Sequence, residues 1–249
     1  MTKYTILKVF EKKFSQPVWK IVVDEAARQL AVELRDPKTT AVILYVFDFD
    51  GKELLTNKQI DEKEWTLEAL QQGVLILKRV GDTQPIKEGL WLLDIAGNTR
   101  QIWQEYTWID TYNGWIKVRH RNFQSGFEEY IDIVTGTRKK RLGHAPSYCH
   151  GSLKMPIPYN GEIPSYLRHL KIQDLLWISR TPNLTLWSYH QKDNEQYHLN
   201  LAVTDSSELL WTERLLSDMP KMIPQPFMQI DHQLFLLSYN KQKIVSYLV

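Results

Sequence analysis

A strand–turn–strand unit recurs along the sequence, and it constrains the fold more than any other feature. An apolar segment, a short polar turn and a second apolar segment occur in five places: YVFDFDGKELL (45–55), LWLLDIAGNTRQIW (90–103), YIDIVTGTRKKRL (130–142), LAVTDSSELLWTERL (201–215) and LLSYNKQKIVSYLV (236–249). Gly51, Gly97 and Gly136 mark three of the turns. Their spacing of roughly 40 to 50 residues is typical of a repeat that contains four strands.

Short segments rich in Val, Ile, Leu, Tyr and Trp alternate with Gly, Pro, Asn and Asp clusters, and helical periodicity is scarce. The clearest predicted strands are 18–23, 29–35, 41–47, 74–80, 90–95, 115–121, 175–179, 184–189, 233–239 and 243–249. We therefore predict an all-β protein, a β-propeller of five blades with about four strands in each. Six blades and an irregular β-sandwich remain the alternatives.

The two ends of the chain are predicted to complete one blade together. The last unit, Phe227–Val249, supplies only three strands, while the amphipathic segment Tyr4–Phe10 is left over at the other end. An unpaired sheet edge exposes free backbone donors and acceptors and favours aggregation. We therefore expect Tyr4–Phe10 to pair with a strand near the C-terminus, closing a single domain over residues 1–249.

The repeated units resemble the outer hairpins of quinoprotein-type and WD-repeat propellers over about two thirds of the chain. The Gly-His and Trp-Asp dipeptides of WD repeats are absent, and so is a regular tryptophan motif. As a whole, the sequence resembles a bacterial family of unknown function with propeller-like repeats. This resemblance implies the fold and no activity.

Composition excludes several partner classes. The net charge of +2 provides no general attraction to nucleic acid or to a membrane, and no apolar run is long enough for a spanning helix. The basic run RKKR (138–141) is predicted to keep an edge strand soluble rather than to bind phosphate. The N-terminus does not have the pattern of a signal peptide, and the single cysteine cannot form an intramolecular disulfide, so we expect a cytoplasmic protein without a cofactor.

A proline-rich segment, Gly143–His169, interrupts the repeat and is predicted to be an irregular loop insertion. Its residues His144, Tyr148, His150 and His169 form a candidate loop site, with Cys149 beside them. A thiolate with imidazoles suits zinc or a Cys–His nucleophile pair. The spacing fits no zinc finger, so we predict a solvated loop without metal and a Cys149 that is dispensable for folding.

Two further patterns resemble metal or catalytic sites. The sequence DFDGKE (48–53) is similar to the start of a calcium loop, but Asp-Gly between apolar strands is also a preferred hairpin turn, which we favour. His120, His190, His198 and His232 lie in or beside predicted strands without a consistent acidic partner, so we expect packed or surface residues. The common catalytic fingerprints, such as GxSxG and HExxH, are absent.

Four arginines recur at the ends of predicted strands and form the candidate anion-binding set: Arg35, Arg79, Arg121 and Arg180. If the units are blades, these side chains come near one face, where guanidinium groups can bind carboxylate or phosphate. The favoured alternative is that each arginine pairs with a nearby acid, such as Asp36, Asp82 or Glu128, and connects neighbouring blades.

These observations favour a non-catalytic binding or scaffold protein whose propeller face takes a protein or a small anionic molecule. The alternative is an enzyme, a hydrolase or lyase with its site in the propeller channel. The sequence identifies no catalytic residue for it.

Overall fold

The structure, a computed structural model, describes residues 5–80, 89–148, 151, 153–205 and 207–249. These residues form β-strands and one short 3-10 helix, and among them no helix has the length and apolarity that crossing a membrane requires. The strands make five separate antiparallel sheets, four with four strands and one with five. The all-β prediction is confirmed.

The chain divides into two compact units, residues 15–151 and residues 1–14 with 152–249. We call them the three-sheet unit and the two-sheet unit. The N-terminal strand therefore belongs to the same unit as the C-terminal strand. A single domain over the whole chain stays a prediction.

The first strand of the chain, β1 (Leu7–Lys13), belongs to the two-sheet unit, and the next twelve strands build the three-sheet unit. Within each of its sheets the strands follow chain order. The first sheet comprises β2 (Val18–Asp24), β3 (Gln29–Arg35), β4 (Val42–Asp48) and β5 (Glu53–Ile60). The second comprises β6 (Trp65–Gln71), β7 (Val74–Arg79), β8 (Leu90–Asp94) and β9 (Thr99–Trp103). The third comprises β10 (Tyr106–Tyr112), β11 (Trp115–His120), β12 (Glu128–Asp132) and β13 (Arg138–Lys139).

The two-sheet unit contains the remaining strands. Its first sheet comprises β14 (Ile157–Pro158), β15 (Gln173–Arg180), β16 (Thr185–Asp193), β17 (Gln196–Thr204) and β18 (Leu209–Met219), with the 3-10 helix Ser165–Leu167 between β14 and β15. Its second sheet has the order β1-β21-β20-β19, from β19 (Met228–Ile230), β20 (Gln233–Leu237) and β21 (Lys243–Leu248).

A capped turn explains why the hairpin repeat is visible in the sequence. At the end of β4, Asp48 Oδ1 accepts the main-chain N–H groups of Asp50 (3.0 Å) and Lys52 (2.8 Å), and Gly51 has a φ of +89°. Asp94 and Asp132 accept main-chain N–H groups in the corresponding turns after β8 and β12. The Asp48 carboxylate therefore stabilises a hairpin turn, as the sequence favoured over a calcium loop.

The N-terminal strand is the outer strand of the last sheet. β1 runs antiparallel to β21, with Leu7 opposite Leu248 at one end and Lys13 opposite Lys243 at the other. Phe10 packs near Phe235, with ring centroids 6.4 Å apart. The predicted pairing of the chain ends is confirmed for the described residues of the segment, and Tyr4 lies outside them.

Two details of the sequence interpretation change. The fifth repeat, residues 236–249, connects the second and third strands of its sheet, because β1 takes the outer place that a following strand occupies elsewhere.

The proline-rich segment is mostly irregular, as predicted, but Pro158 lies in β14 and pairs with Trp177. An edge position explains this, since proline lacks only a donor that the outer side of β14 does not use.

Apolar side chains pack between neighbouring sheets inside each unit. In the three-sheet unit, residues such as Leu44, Leu67 and Leu75 join the first sheet to the second, and Ile76 and Ile116 join the second to the third. In the two-sheet unit, Leu201 and Leu216 pack with Leu236 and Tyr247 across the two sheets. These cores fix the strand ends on which the candidate sites lie.

Candidate functional site

Arg35, at the end of β3, uses its guanidinium group to connect two sheets. Its Nε donates to Glu33 at 2.6 Å, and its two terminal nitrogens donate to the carbonyls of Lys63 (2.8 Å) and Trp65 (2.9 Å). Glu33 is fully buried and also accepts from the second sheet. These contacts agree with the pairing alternative, although the acid is Glu33 rather than Asp36.

Arg79, at the end of β7, is also paired. Its Nη2 contacts the carboxylate of Glu62, and its guanidinium carbon lies 4.8 Å from the ring centre of Trp65. Only 10% of the Arg79 side chain is exposed. Asp82, the acid that the sequence suggested, lies outside the described residues.

The other two arginines have fewer contacts. Arg121 is exposed and follows β11, and its Nη1 lies 3.5 Å from the carbonyl of Gln104. Glu128, the acid suggested for it, pairs with Lys117. Arg180 ends β15 in the two-sheet unit and is exposed. Anion binding by the four arginines together remains a hypothesis, with Arg35 and Arg79 already engaged by acids and carbonyls.

The candidate loop residues have different environments. In the three-sheet unit, His144 is exposed, and the Tyr148 hydroxyl donates to Asp110 Oδ2 at 2.9 Å. The phenol oxygens of Tyr148 and Tyr112 lie 3.5 Å apart. This hydrogen bond, together with burial, raises the pKa of Tyr112 above its usual range. Tyr148 therefore belongs to a tyrosine–aspartate network with Tyr112 and Asp110.

The remaining loop residues are His150 and His169, with Cys149 beside His150 in the sequence. His169 is exposed and belongs to the two-sheet unit. Cys149 and His150 lie outside the described residues, so the loop-site prediction is untested for them.

A pocket of about 470 Å³ lies at one end of the two-sheet unit, where β1 and β18 end and the β20–β21 loop begins. Its volume is in the range of small-molecule sites. The lining combines apolar, polar and charged groups: Lys13, Phe14, Leu216, Ser217, Asp218, Met219, Pro220, Ser238, Tyr239, Asn240, Gln242 and Lys243. Phe14 is buried at the pocket, whereas Tyr239 is 40% exposed.

Two lysines lie directly opposite each other at this pocket. Lys13 ends β1, and its cross-strand partner is Lys243, the first residue of β21. Like charges in directly opposed positions destabilise an antiparallel pair. Glu11 compensates part of this charge, since its carboxylate lies 3.5 Å from Lys243 Nζ. Lys13 is exposed and forms no ion pair with any acid in the described part of the chain.

Glu11 is shared between two ammonium groups. A hydrogen bond from Lys8 at 2.7 Å is the main cause of a lowered pKa of Glu11, and the charge of Lys243 adds to it. The carboxylate is therefore ionised at neutral pH and already partnered. Positive charge at the pocket remains concentrated on Lys13 and, in part, on Lys243, with Asp218 as the acidic residue in the lining.

A β-bulge in β18 forms part of the pocket wall. Leu216 pairs with Leu199 and Met219 pairs with Tyr197, so Ser217 and Asp218 together oppose the single residue His198. Asp218 has a φ of +55°, which aspartate tolerates better than most residues. The bulge places residues 216–220 along one side of the pocket.

Sequence reasoning missed this pocket because its residues come from three distant segments, 13–14, 216–220 and 238–243. One partial signal was available. The predicted pairing of Tyr4–Phe10 with a strand near the C-terminus brings these segments together, but it stops before Lys13 and does not set the register that places Lys13 against Lys243. The bulge has no comparable signal, since its register depends on packing between sheets.

No protein-family model matches this chain, and no curated protein matches it. Among solved structures, the β-propeller domain of the Trilobed protease from Pyrococcus furiosus is 11% identical, with a TM-score of 0.35 over 93% of this chain and 81% of that one. An oligogalacturonate lyase in complex with manganese is 9% identical, with a TM-score of 0.31 over 98% and 92% of the two chains. BBS1N in complex with ARL6DN is 11% identical, with a TM-score of 0.24 over 98% and 96%. Likenesses this distant say nothing about what this chain binds.

Proposed function

We propose that this protein is a non-catalytic binding protein, a five-bladed β-propeller that holds a small anionic ligand in the pocket beside Lys13 and Lys243. The observation that carries the proposal is the direct opposition of these two lysines at a pocket of about 470 Å³. An anion between the two lysines would replace their repulsion by two attractions. Anion binding therefore stabilises this site more than it stabilises an ordinary surface lysine.

The propeller part of the proposal is supported by the sheets themselves. Each of the five has at least four antiparallel strands, and four of them are formed by strands consecutive in the chain. The fifth takes β1 as its outer strand, which is how a ring of blades can be closed by the two ends of a chain. The sheets are then the blades, three from one unit and two from the other.

The ligand class follows from the lining. Ammonium groups, the Ser217 hydroxyl and the Gln242 amide suit carboxylate, sulfate or phosphate oxygens. Phe14 and Tyr239 provide apolar surface for a small carbon skeleton. Asp218 disfavours a ligand that carries negative charge over its whole length. A compact anion with one charged end therefore fits best.

The test compares thermal and urea unfolding with sulfate, phosphate or citrate against chloride at constant ionic strength. A ligand at about 100 times its Kd stabilises the folded state by about 2.7 kcal/mol. We expect at least one of these anions to stabilise the wild type selectively. Lys13→Gln should remove most of this effect, while the unliganded variant is as stable as the wild type or slightly more stable, because a like-charge pair is relieved.

The matched control is Lys171→Gln, an exposed lysine of the same unit that does not line the pocket. It should keep the full anion effect. The proposal is wrong if the wild type shows no selective stabilisation, or if Lys13→Gln retains it in full.

A further inference from the structure

The pocket wall after β18 is attached to two buried histidines. The main-chain N–H of Asp218, in the bulge, donates to His198 Nδ1 at 3.3 Å. Five residues later, the N–H of Ile223 donates to His190 Nε2 at 3.3 Å. His190 is 3% exposed and His198 is 5% exposed. The segment 218–223 is thus held at both of its ends by imidazole nitrogens.

An imidazole nitrogen accepts a hydrogen bond only when it carries no proton. His198 accepts at Nδ1, so its single proton is on Nε2. His190 accepts at Nε2, so its proton is on Nδ1. The two rings therefore have opposite tautomers, and a second proton on either ring turns its acceptor into a donor that faces a main-chain N–H.

The charged surroundings of the two rings are limited. On β15, Asp174 acts on His190 and favours its charged form, while β17 places the uncharged Leu199 opposite. His198 lies across from Gln191 of β16 and beside Asp218 of β18. Asp174 is the charge that acts on His190, whereas Lys192 of β16 pairs with Glu195 and Lys221 of the loop is exposed.

We infer that neutral His190 and His198 act as a latch for the pocket wall, and that protonation of His190 in acid releases the Ile223 end of the segment 218–223 and weakens anion binding. This inference rests on the proposed function for its ligand, but the latch itself can be measured without one.

The environment of His190 favours the neutral form of its ring. Burial lowers the pKa of His190 from its ordinary value of 6.5, against the opposing effect of Asp174. A lowered pKa means that the fold prefers the neutral ring. The corresponding stabilisation is fully present above pH 6.5 and is lost as the pH falls below this value through the lowered pKa.

The first experiment uses the wild-type protein without ligand. Long-range ¹H–¹⁵N NMR spectra of the imidazoles report which nitrogen carries the proton. At neutral pH we expect the Nε2–H tautomer for His198 and the Nδ1–H tautomer for His190. Acidification should protonate His190 and remove the protection of the Ile223 amide from exchange, after correction for intrinsic exchange rates. A proton on either accepting nitrogen at neutral pH overturns the inference.

The second experiment measures sulfate affinity from neutral pH down to the pH at which the NMR spectra show His190 to be protonated. Wild-type affinity should fall about tenfold or more. His198→Asn and His190→Gln place an amide oxygen near the accepting nitrogen and do not titrate, so the double variant should show a pH dependence at least several-fold smaller. His232→Asn changes an exposed histidine of the same unit and should behave as the wild type.

The outcomes separate the two proposals. If sulfate, phosphate and citrate fail to bind at every pH while the tautomers and amide protection follow the expected pattern, the proposed ligand is wrong and the latch stands. If an anion binds but its affinity changes with pH equally in the wild type and the double variant, the latch is wrong and the anion pocket stands.

Discussion

Glu33 is a buried carboxylate at the junction between the first two sheets of the three-sheet unit. One of its oxygens accepts from Arg35, and the other accepts from the Thr66 hydroxyl (2.8 Å) and the Leu67 N–H (2.7 Å). The Glu33 side chain is thus bonded to its own strand, β3, through Arg35, and to β6 through Thr66 and Leu67. Burying a carboxylate is unfavourable unless it is paired and hydrogen-bonded, and here both conditions are met.

We expect Glu33→Gln to lower the free energy of unfolding by about 1.5–3 kcal/mol, the value of one or more hydrogen bonds to a charged group. The amide nitrogen cannot accept, and the Arg35 charge loses its partner. Urea unfolding measures the loss. Glu195→Gln is the control, because Glu195 pairs with Lys192 while 89% of its side chain is exposed, and little change is expected. An unchanged midpoint for Glu33→Gln would contradict the role assigned to this carboxylate.

A substitution at Arg79 distinguishes the two hypotheses for the arginines: either each arginine pairs with an acid, or the four converge to bind an anion. Because Arg79 contacts Glu62 and the Trp65 ring, Arg79→Met should cost about 1–2 kcal/mol of stability. Arg121→Met removes an exposed arginine at the equivalent strand end and should cost less. Both are measured by urea unfolding with and without citrate at constant ionic strength. Undiminished stability of Arg79→Met together with loss of an anion effect would instead support convergence.

At the scale of elements, β1 is the strand whose partner is farthest away in the sequence. Deleting residues 1–12 removes most of the strand that covers β21, including Phe10 beside Phe235. We expect this truncation to lower the melting temperature and to expose a sheet edge that promotes association, as measured by calorimetry and light scattering. Deleting residues 1–4 alone is the comparison, because it leaves all of β1 in place.

Strands were well predicted because their signal is local. The predicted segment 29–35 coincides with β3, and 74–80 and 90–95 each exceed their strands by a single residue. Alternation of apolar residues and short polar turns that contain glycine are both recognisable over about ten residues. The pairing of β1 also followed from counting strands, because one sheet lacked an outer strand.

The bulges and the candidate site could not be predicted from local sequence patterns. β2, β6 and β10 each contain a register shift, as β18 does at Ser217 and Asp218. A bulge is decided by how the strand packs against its neighbours, which no local pattern records. The same holds for His190 and His198, expected as packed or surface residues. That expectation includes burial of the two histidines. It does not include the hydrogen bonds that their rings accept from the main-chain N–H groups of Asp218 and Ile223.

At the scale of the whole molecule, the two chain ends enter one sheet from the same side. Leu7 lies opposite Leu248, so joining Val249 directly to Met1 would connect β21 and β1 as a hairpin through residues 249 and 1–6. We expect a circular permutant opened between Gly143 and His144 to fold with a stability close to that of the wild type. Both residues are exposed, and a side-chain carbon built at Gly143 has no atom within 4 Å.

The comparison is a second permutant with the same junction, opened between Leu44 and Tyr45 inside β4. It interrupts a buried strand and should not give a cooperative unfolding transition. Circular dichroism and urea unfolding distinguish the two. Failure of the first permutant to fold would mean that residues 1–6 cannot serve as the connection.

The pairing of β1 with β21 also sets an order of events during synthesis. β1 is synthesised before all the other strands, whereas its partner β21 is synthesised after them. At a synthesis rate of about 5–20 residues per second, roughly 10–50 s pass between the synthesis of β1 and that of β21, and β1 is unpaired during this time. Lys8, Lys12 and Lys13 give the waiting strand charges that discourage pairing with other nascent chains. The same lysine that marks the proposed pocket in the finished protein is thus suited to protecting the unfinished one.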